Sequence, residues 1–312
     1  GAGVVFGLLL VIMLLTGINY QNSLIYLGTF LLGAVFVGAM HQTHRNLSGV
    51  ELTLVQPGED ISADPLPPEP SEVVPEAIPL QILYQDSHLL VVDKPSGMVV
   101  HPGAGNPRGT LANALVHYFQ QISRRETIRP GIVHRLDKQT SGLLVVAKRE
   151  WVHDFLSRQF SSRKVEKQYL ALVYKRMSRQ KGEIRVPLGR HPTARTKIST
   201  HSQRLKETHT EYRVLRSYRH FSYLQVTPHT GRTHQIRVHL AHLGHAVVGD
   251  EVYGSRQLPQ LKNPVLASAI TNLGRHFLHA SQLAFTHPES KKRISFESLL
   301  PSQLAELLDS LE

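Results

Sequence analysis

The charged residues of this 312-residue chain are sorted by position, and that sorting limits what it can fold into more than any average does. Residues 1–40 contain no Asp, Glu, Lys or Arg. Between Arg45 and Lys94 there are nine acids and no Lys or Arg. Of the 35 Lys and Arg and the 24 Asp and Glu in the chain, 34 and 15 lie from Lys94 onward, a net of +19. One core cannot take three such stretches alike: only the third has the mixture of a globular domain. A body this cationic predicts an anionic partner, nucleic acid or an anionic membrane surface. The chain has no cysteine, which excludes disulfides, Cys-ligated zinc, iron–sulfur clusters and thiol nucleophiles.

Val4–Leu15 is almost wholly apolar, Thr16–Ser23 is polar, and Leu24–Met40 is apolar again. The second run approaches the ~18 residues that span a bilayer. The pattern predicts an apolar helical hairpin over residues 1–45, with membrane association through residues 4–40. His41, His44 and Arg45 come after the second run and favour a cytoplasmic exit, hence a cytoplasmic position for the remainder of the chain. A signal peptide fits poorly, because no basic segment precedes the long apolar stretch. Residues 17–49, "GINYQNSLIYLGTFLLGAVFVGAMHQTHRNLSG", resemble the amino-terminal hairpin of an unrelated bacterial membrane-protein family. Residues 46–79 read as an acidic linker, since residues 56–79 hold seven of the 18 prolines.

Globular patterning starts near Ile82. "ILYQDSHLLVVDKP" predicts two short strands around a turn at Gln85–Ser87. Helices are predicted over Leu111–Gln121 and Trp151–Phe160, and a buried strand over Leu143–Ala147. Further strands are predicted at Tyr169–Val173, Tyr212–Leu215 and Tyr223–Val226. Ile236, Leu240 and Leu243 mark one helix face. Helices and strands mix without a regular βαβ period, so the class is α+β.

The chemistry is carried by four segments. "GIVHRLDKQTSGLLVVAK" (131–148) sets Asp137 in a loop just before a buried strand, a rigid mount for a reactive group. With "KPSGMVVHPG" (94–103), "KQYLALV" (167–173) and "HTGRTHQIRVHLAHLGHAVVGDEVYG" (229–254), it resembles the RluA-type RNA pseudouridine synthases, nearest their large-subunit ribosomal synthase D branch. The resemblance runs from about Val55 to the C-terminus. It implies a mixed, largely antiparallel central sheet with flanking helices, in a catalytic domain spanning residues 80–312. It also implies a cofactor-free, metal-free isomerisation of uridine to pseudouridine in RNA, expected in the large-subunit ribosomal RNA, by a monomer. The N1–C1′ bond breaks, the uracil turns, and C5 joins C1′.

The family's catalytic aspartate falls on Asp137, as a nucleophile or as a base toward the sugar. A carboxylate in a dry pocket needs a cation to stay charged, and the family's basic partner falls on Arg237, in the first turn of a helix expected to start near Thr233. The active-site tyrosine falls on Tyr169, which can stack on the uracil and accept or relay a proton. The target nucleotide must leave the stack, and Arg135 is the residue the resemblance offers to fill its place. Lys138, Arg232 and His234 complete the expected RNA contacts. His234, His239, His242 and His245 follow no HExxH pattern and predict no metal site.

The family carries an RNA-binding S4 domain before the catalytic one. Here only "VQPGEDISADPLPPEP" looks like the tail of that region. Two readings of the amino-terminal segment stay open: a natural membrane-bound enzyme or a fused reading frame. A further alternative is a membrane-anchored RNA-binding protein with the catalytic domain as a passenger.

Overall fold

The computed structural model describes residues 73–311, apart from residues 104, 123–130, 195–196 and 203. The expected hairpin of residues 1–45 and residues 46–72 of the expected 46–79 linker lie outside the described residues. Among the described residues, no helix is long and apolar enough to cross a membrane. The last linker residues are hydrogen-bonded to Asn113: its Nδ2 donates to the Val74 carbonyl at 2.7 Å, and Glu76 N–H donates to its carbonyl at 3.1 Å.

The first half of the sheet grows from a hairpin. β1 (Gln81–Gln85) and β2 (Leu89–Lys94) pair antiparallel. Asp86 makes the turn, its Oδ1 accepting the N–H groups of His88 and Leu89 at 2.7 and 2.8 Å. α1 (Leu111–Ile122), β3 (Gly131–Ile132), β4 (Ser141–Ala147) and α2 (Glu150–Ser161) come next. β4 is buried along its whole length, and its two faces serve two helices. Leu143 and Val145 pack with Leu89, Val91 and the α2 residues Val152 and Leu156. Leu144 and Val146 pack with Leu90, Val92 and the α1 residues Leu111, Leu115 and Phe119. The period of two in β2 and β4 thus explains their unbroken apolar runs: both faces are covered.

The chain continues through β5 (Glu166–Tyr174), β6 (Lys181–Ile184), the short β7 (Gly189–Arg190) and β8 (Ile198–Ser199), β9 (Thr210–Ser217) and β10 (Phe221–Pro228). α3 (Gln235–His242), α4 (Pro264–Asn272), β11 (Leu278–Thr286), β12 (Arg293–Glu297) and α5 (Ser302–Asp309) complete the chain. The large sheet runs β1-β2-β4-β11-β5-β10-β9-β6, with β3 on β4 and β12 on β11; β7 and β8 form a separate ribbon. Among the described residues β4–β11 is the one parallel pairing. A mixed, largely antiparallel sheet with flanking helices is therefore the fold.

β4 meets β11 at Gly142, whose φ is +115°. A Cβ there would stand 2.3 Å from the Ala280 carbonyl oxygen, so the two strands approach only because this residue has none. The junction lies directly after the Asp137–Thr140 turn, closed by Thr140 N–H donating to the Asp137 carbonyl at 3.0 Å. The expected helix start near Thr233 is corrected. His234 has φ +54°, a left-handed conformation that a right-handed helix cannot include, so α3 begins at Gln235.

Candidate active site

The loop that carries Asp137 is held from below. Leu136 is buried in the core under α1. Lys94, at the end of β2, is itself buried, and its Nζ donates to the carbonyls of Pro95, Met98 and Lys138 at 2.7, 2.9 and 3.3 Å. Burial pushes the Lys94 ammonium down to about 7, helped by the Arg275 charge and opposed by Asp137 and Asp93. Gly97 N–H donates to the same Lys138 carbonyl at 2.8 Å.

The opposite wall comes from the Pro228–Gln235 loop and α3. Gln235 is buried and ties that loop together. Its Oε1 accepts from Thr230 Oγ1 at 2.7 Å and Arg232 N–H at 3.1 Å, while its Nε2 donates to Thr210 Oγ1 at 2.8 Å. Two residues on, Arg237 projects from the first turn of α3 and joins two carboxylates. Its Nε and Nη2 donate to Asp250 Oδ2 and Oδ1 at 2.7 and 2.9 Å, and its Nη1 donates to Asp137 Oδ2 at 3.0 Å.

Asp250 is buried and also accepts the N–H groups of Val252 and Tyr253 at 2.9 and 3.1 Å. It comes directly after Gly249 (φ +75°), where a Cβ would stand 2.2 Å from the Arg275 carbonyl oxygen. Burial works against both charges of the Arg237–Asp250 pair, but their mutual bonds outweigh it: the guanidinium lies above its ordinary range and the carboxyl below its own.

His234 approaches the same Asp137 oxygen, its Nε2 3.9 Å from Oδ2. Its Nδ1 shares a 2.9 Å hydrogen bond with the Tyr253 hydroxyl, whose oxygen also accepts Ile198 N–H at 2.9 Å. Burial lowers the His234 imidazole, with Asp137 opposing. The Tyr169 phenol is pushed above its ordinary value by burial and then by the Asp137 charge. It is therefore protonated at neutral pH, and among the described residues its hydroxyl has no hydrogen-bond partner. His276, behind the Asp137 loop, shares a 2.7 Å hydrogen bond with Thr140 Oγ1, and burial takes it down to about 3.

These groups surround a cleft of about 640 Å³. Asp137, Tyr169, Arg237, Arg135, Arg232 and His234 all line it. Lys138 does not: its Nζ points to Asn106 Oδ1 at 3.1 Å, and its carbonyl rather than its ammonium serves the site. Asp250, Lys94 and Tyr253 were not singled out from the sequence, although Asp250 and Tyr253 lie in the 229–254 segment and Lys94 opens the 94–103 segment. The cleft also contains Lys167, pushed down to about 8 by burial, and His134 stacked on Phe160 with ring centroids 4.5 Å apart.

A family model described as RNA pseudouridylate synthase matches residues 88–242. The ribosomal large subunit pseudouridine synthase D of Nitrosomonas europaea is 48% identical over 236 residues, 76% of this chain and 66% of that protein. The protein of that name from Xylella fastidiosa is 42% identical over 255 residues, 81% of this chain and 76% of that one. Among solved structures, human RNA pseudouridylate synthase domain containing 1 has a TM-score of 0.56 at 26% identity, covering 79% of this chain and 97% of that one. The four sequence segments meet at one cleft on this fold, and with relatives this similar over this much of their length the chain belongs to the RNA pseudouridylate synthase family.

Proposed function

We propose that this chain isomerises specific uridines of large-subunit ribosomal RNA to pseudouridine, with residues 80–312 as the catalytic domain and Asp137 as the group that acts on the nucleotide. The carrying observation is the Asp137–Arg237–Asp250 chain at the cleft, where an accessible carboxylate is held by a guanidinium that a buried carboxylate fixes. The names of the relatives supply the ribosomal RNA.

In this reading a uridine leaves the RNA stack and its base enters the cleft against the Tyr169 ring, while Arg135, exposed at the rim, takes the vacated place. Asp137 lies beside the sugar, where it attacks C1′ or takes a sugar proton; either role needs a fixed, ionised carboxylate. The N1–C1′ bond breaks, the uracil turns in place, C5 bonds to C1′, and the C5 proton departs as N1 gains one, so nothing is consumed. Tyr169, protonated and close to Asp137, relays that proton. Arg232 and His234 face the RNA from the second wall.

Asp137→Asn keeps the volume and removes the charge. Isomerisation of a ribosomal RNA fragment is expected to vanish while RNA affinity stays within a few-fold. Turnover by the Asn variant near the wild-type rate would refute the assignment.

A further inference from the structure

A second cluster lies at the lip of the cleft and takes no part in the chemistry above. His209 precedes β9 and Glu211 is the second residue in it, so the two share one face of the strand. The β10–β9 register sets Thr227 opposite Glu211 and Pro228 opposite Thr210. His229 is thereby brought beside His209, and its N–H donates to the His209 carbonyl at 3.0 Å. The two imidazoles stack, with centroids 4.3 Å apart and planes 20° from parallel. Both Nε2 atoms face Glu211 Oε1, at 3.0 Å from His229 and 3.7 Å from His209.

Three observations mark this as more than a surface ion pair. The His209, Glu211 and His229 ligand atoms all lie within 4.8 Å of one another. His229 Nε2 is buried and, although 3.0 Å from Glu211 Oε1, makes no hydrogen bond among the described residues. Glu183 on β6 stands in register with Glu211. Like charges directly opposed across strands are destabilising. Glu183 Oε2 is 3.1 Å from His209 Nε2, and Arg185 Nε offsets it at 2.9 Å.

We propose that His209, His229 and Glu211 form a site for a divalent transition-metal ion of the zinc class. Two imidazoles and one carboxylate are a donor set for borderline ions, whereas Mg²⁺ and Ca²⁺ take mainly oxygen ligands. Glu211 is half exposed and can adjust its rotamer to complete ligand distances of about 2.0–2.2 Å. Three protein ligands leave a position for water. The His209 carbonyl accepts from Gln235 Nε2 at 3.0 Å and its N–H donates to Thr230 Oγ1 at 3.1 Å, so an ion here would be coupled to the loop that presents Arg232 and His234 to the cleft.

The test uses the full chain, stripped with a chelator and titrated with Zn²⁺ by calorimetry and with Co²⁺ by visible absorption, near neutral pH. One saturable equivalent is expected, with the absorption of tetrahedral or five-coordinate Co²⁺ and no competition from excess Mg²⁺. His229→Gln and Glu211→Gln should each weaken Zn²⁺ by more than the ~10-fold typical of losing an outer-shell partner. His242→Gln, an exposed imidazole elsewhere on the surface, should leave it unchanged. Circular dichroism verifies that the variants are folded, and the isosteric change at half-exposed Glu211 keeps the test valid if the histidine variant is not. No saturable Zn²⁺ binding, or equal binding by wild type, His229→Gln and Glu211→Gln, would overturn the proposal.

Discussion

Arg237 divides its donors unequally between two carboxylates. Asp250 takes two bonds and lies out of solvent, while Asp137 takes one and faces the cleft. Asp250 therefore fixes the guanidinium, and the guanidinium presents one N–H to the reactive carboxylate. Asp250→Asn leaves a buried cation short of charge compensation, which costs about 3–5 kcal/mol when one partner of a buried pair is removed. We expect a lower urea midpoint together with a large fall in isomerisation, both measurable on one preparation. Wild-type turnover in that variant would separate Asp250 from the chemistry. Tyr169→Phe keeps the ring that can stack on a base, an interaction worth roughly 1–3 kcal/mol, and removes the hydroxyl. Stalled turnover with near-normal RNA affinity is the expected result, and an unchanged rate would remove the phenol from proton transfer. Asp137, Tyr169 and Arg237 were legible because each sits inside a segment that carries the resemblance. Asp250 was not, because an acid in "VVGDEVYG" reads as a turn residue and its work passes through Arg237. Lys94 escaped for the opposite reason: a lysine reads as solvent-exposed, and only the structure shows three backbone carbonyls meeting it.

Elements with a single clean period were legible. The expected strand at Leu143–Ala147 is β4, the expected helices at Leu111–Gln121 and Trp151–Phe160 are α1 and α2, and the three later expected strands fall within β5, β9 and β10. β11 was not anticipated, though it lies at the centre of the sheet. Its sequence "LHASQLAFT" sets polar His279, Ser281 and Gln282 in a strand buried toward both ends, and the adjoining Ser281 and Gln282 break the alternation. The buried His279 is satisfied instead by Ser141 Oγ at 2.9 Å and the Ser298 carbonyl at 3.3 Å, partners far away in sequence. Polar atoms paired only in three dimensions leave no periodic trace. The β4–β11 junction is also a demanding backbone contact near the site, like the one at Gly249. Gly142→Ala adds a methyl 2.3 Å from the Ala280 oxygen at φ +115°. The strands must part, so the expected loss of stability exceeds the ~1 kcal/mol of an ordinary substitution. Turnover should fall with it, because Asp137 sits on the adjoining turn. Chemical denaturation of the variant against wild type measures this, and a midpoint within error of wild type would show that the junction can relax.

For the whole molecule, two histidines held largely out of water, His276 buried and His134 half-buried, tie stability to pH. Burial takes His134 and His276 from 6.5 down to about 3. Between those values the unfolded chain binds protons that the folded chain refuses, so stability is lost as pH falls from about 6.5 toward 3. Each group contributes up to about 1.4 kcal/mol per pH unit inside that window. His134→Gln keeps an acceptor in reach of Val145 N–H, which now donates to Nε2 at 3.0 Å. The variant should show a shallower decline of unfolding free energy between pH 6 and 4 than wild type. Parallel curves would mean that His134 is already charged in the folded protein. The order of strands has a separate consequence, for synthesis. β11 lies between β4 and β5, yet it is made after both and after every other strand on the central path. Until residues 278–284 leave the ribosome, the piece that carries Asp137 and the piece that carries Arg237 have no strand to join them, and the edges of β4 and β5 stay open. The nascent chain is thus expected to be inert toward RNA for nearly all of its translation, acquiring its cleft only when its last strands close the sheet.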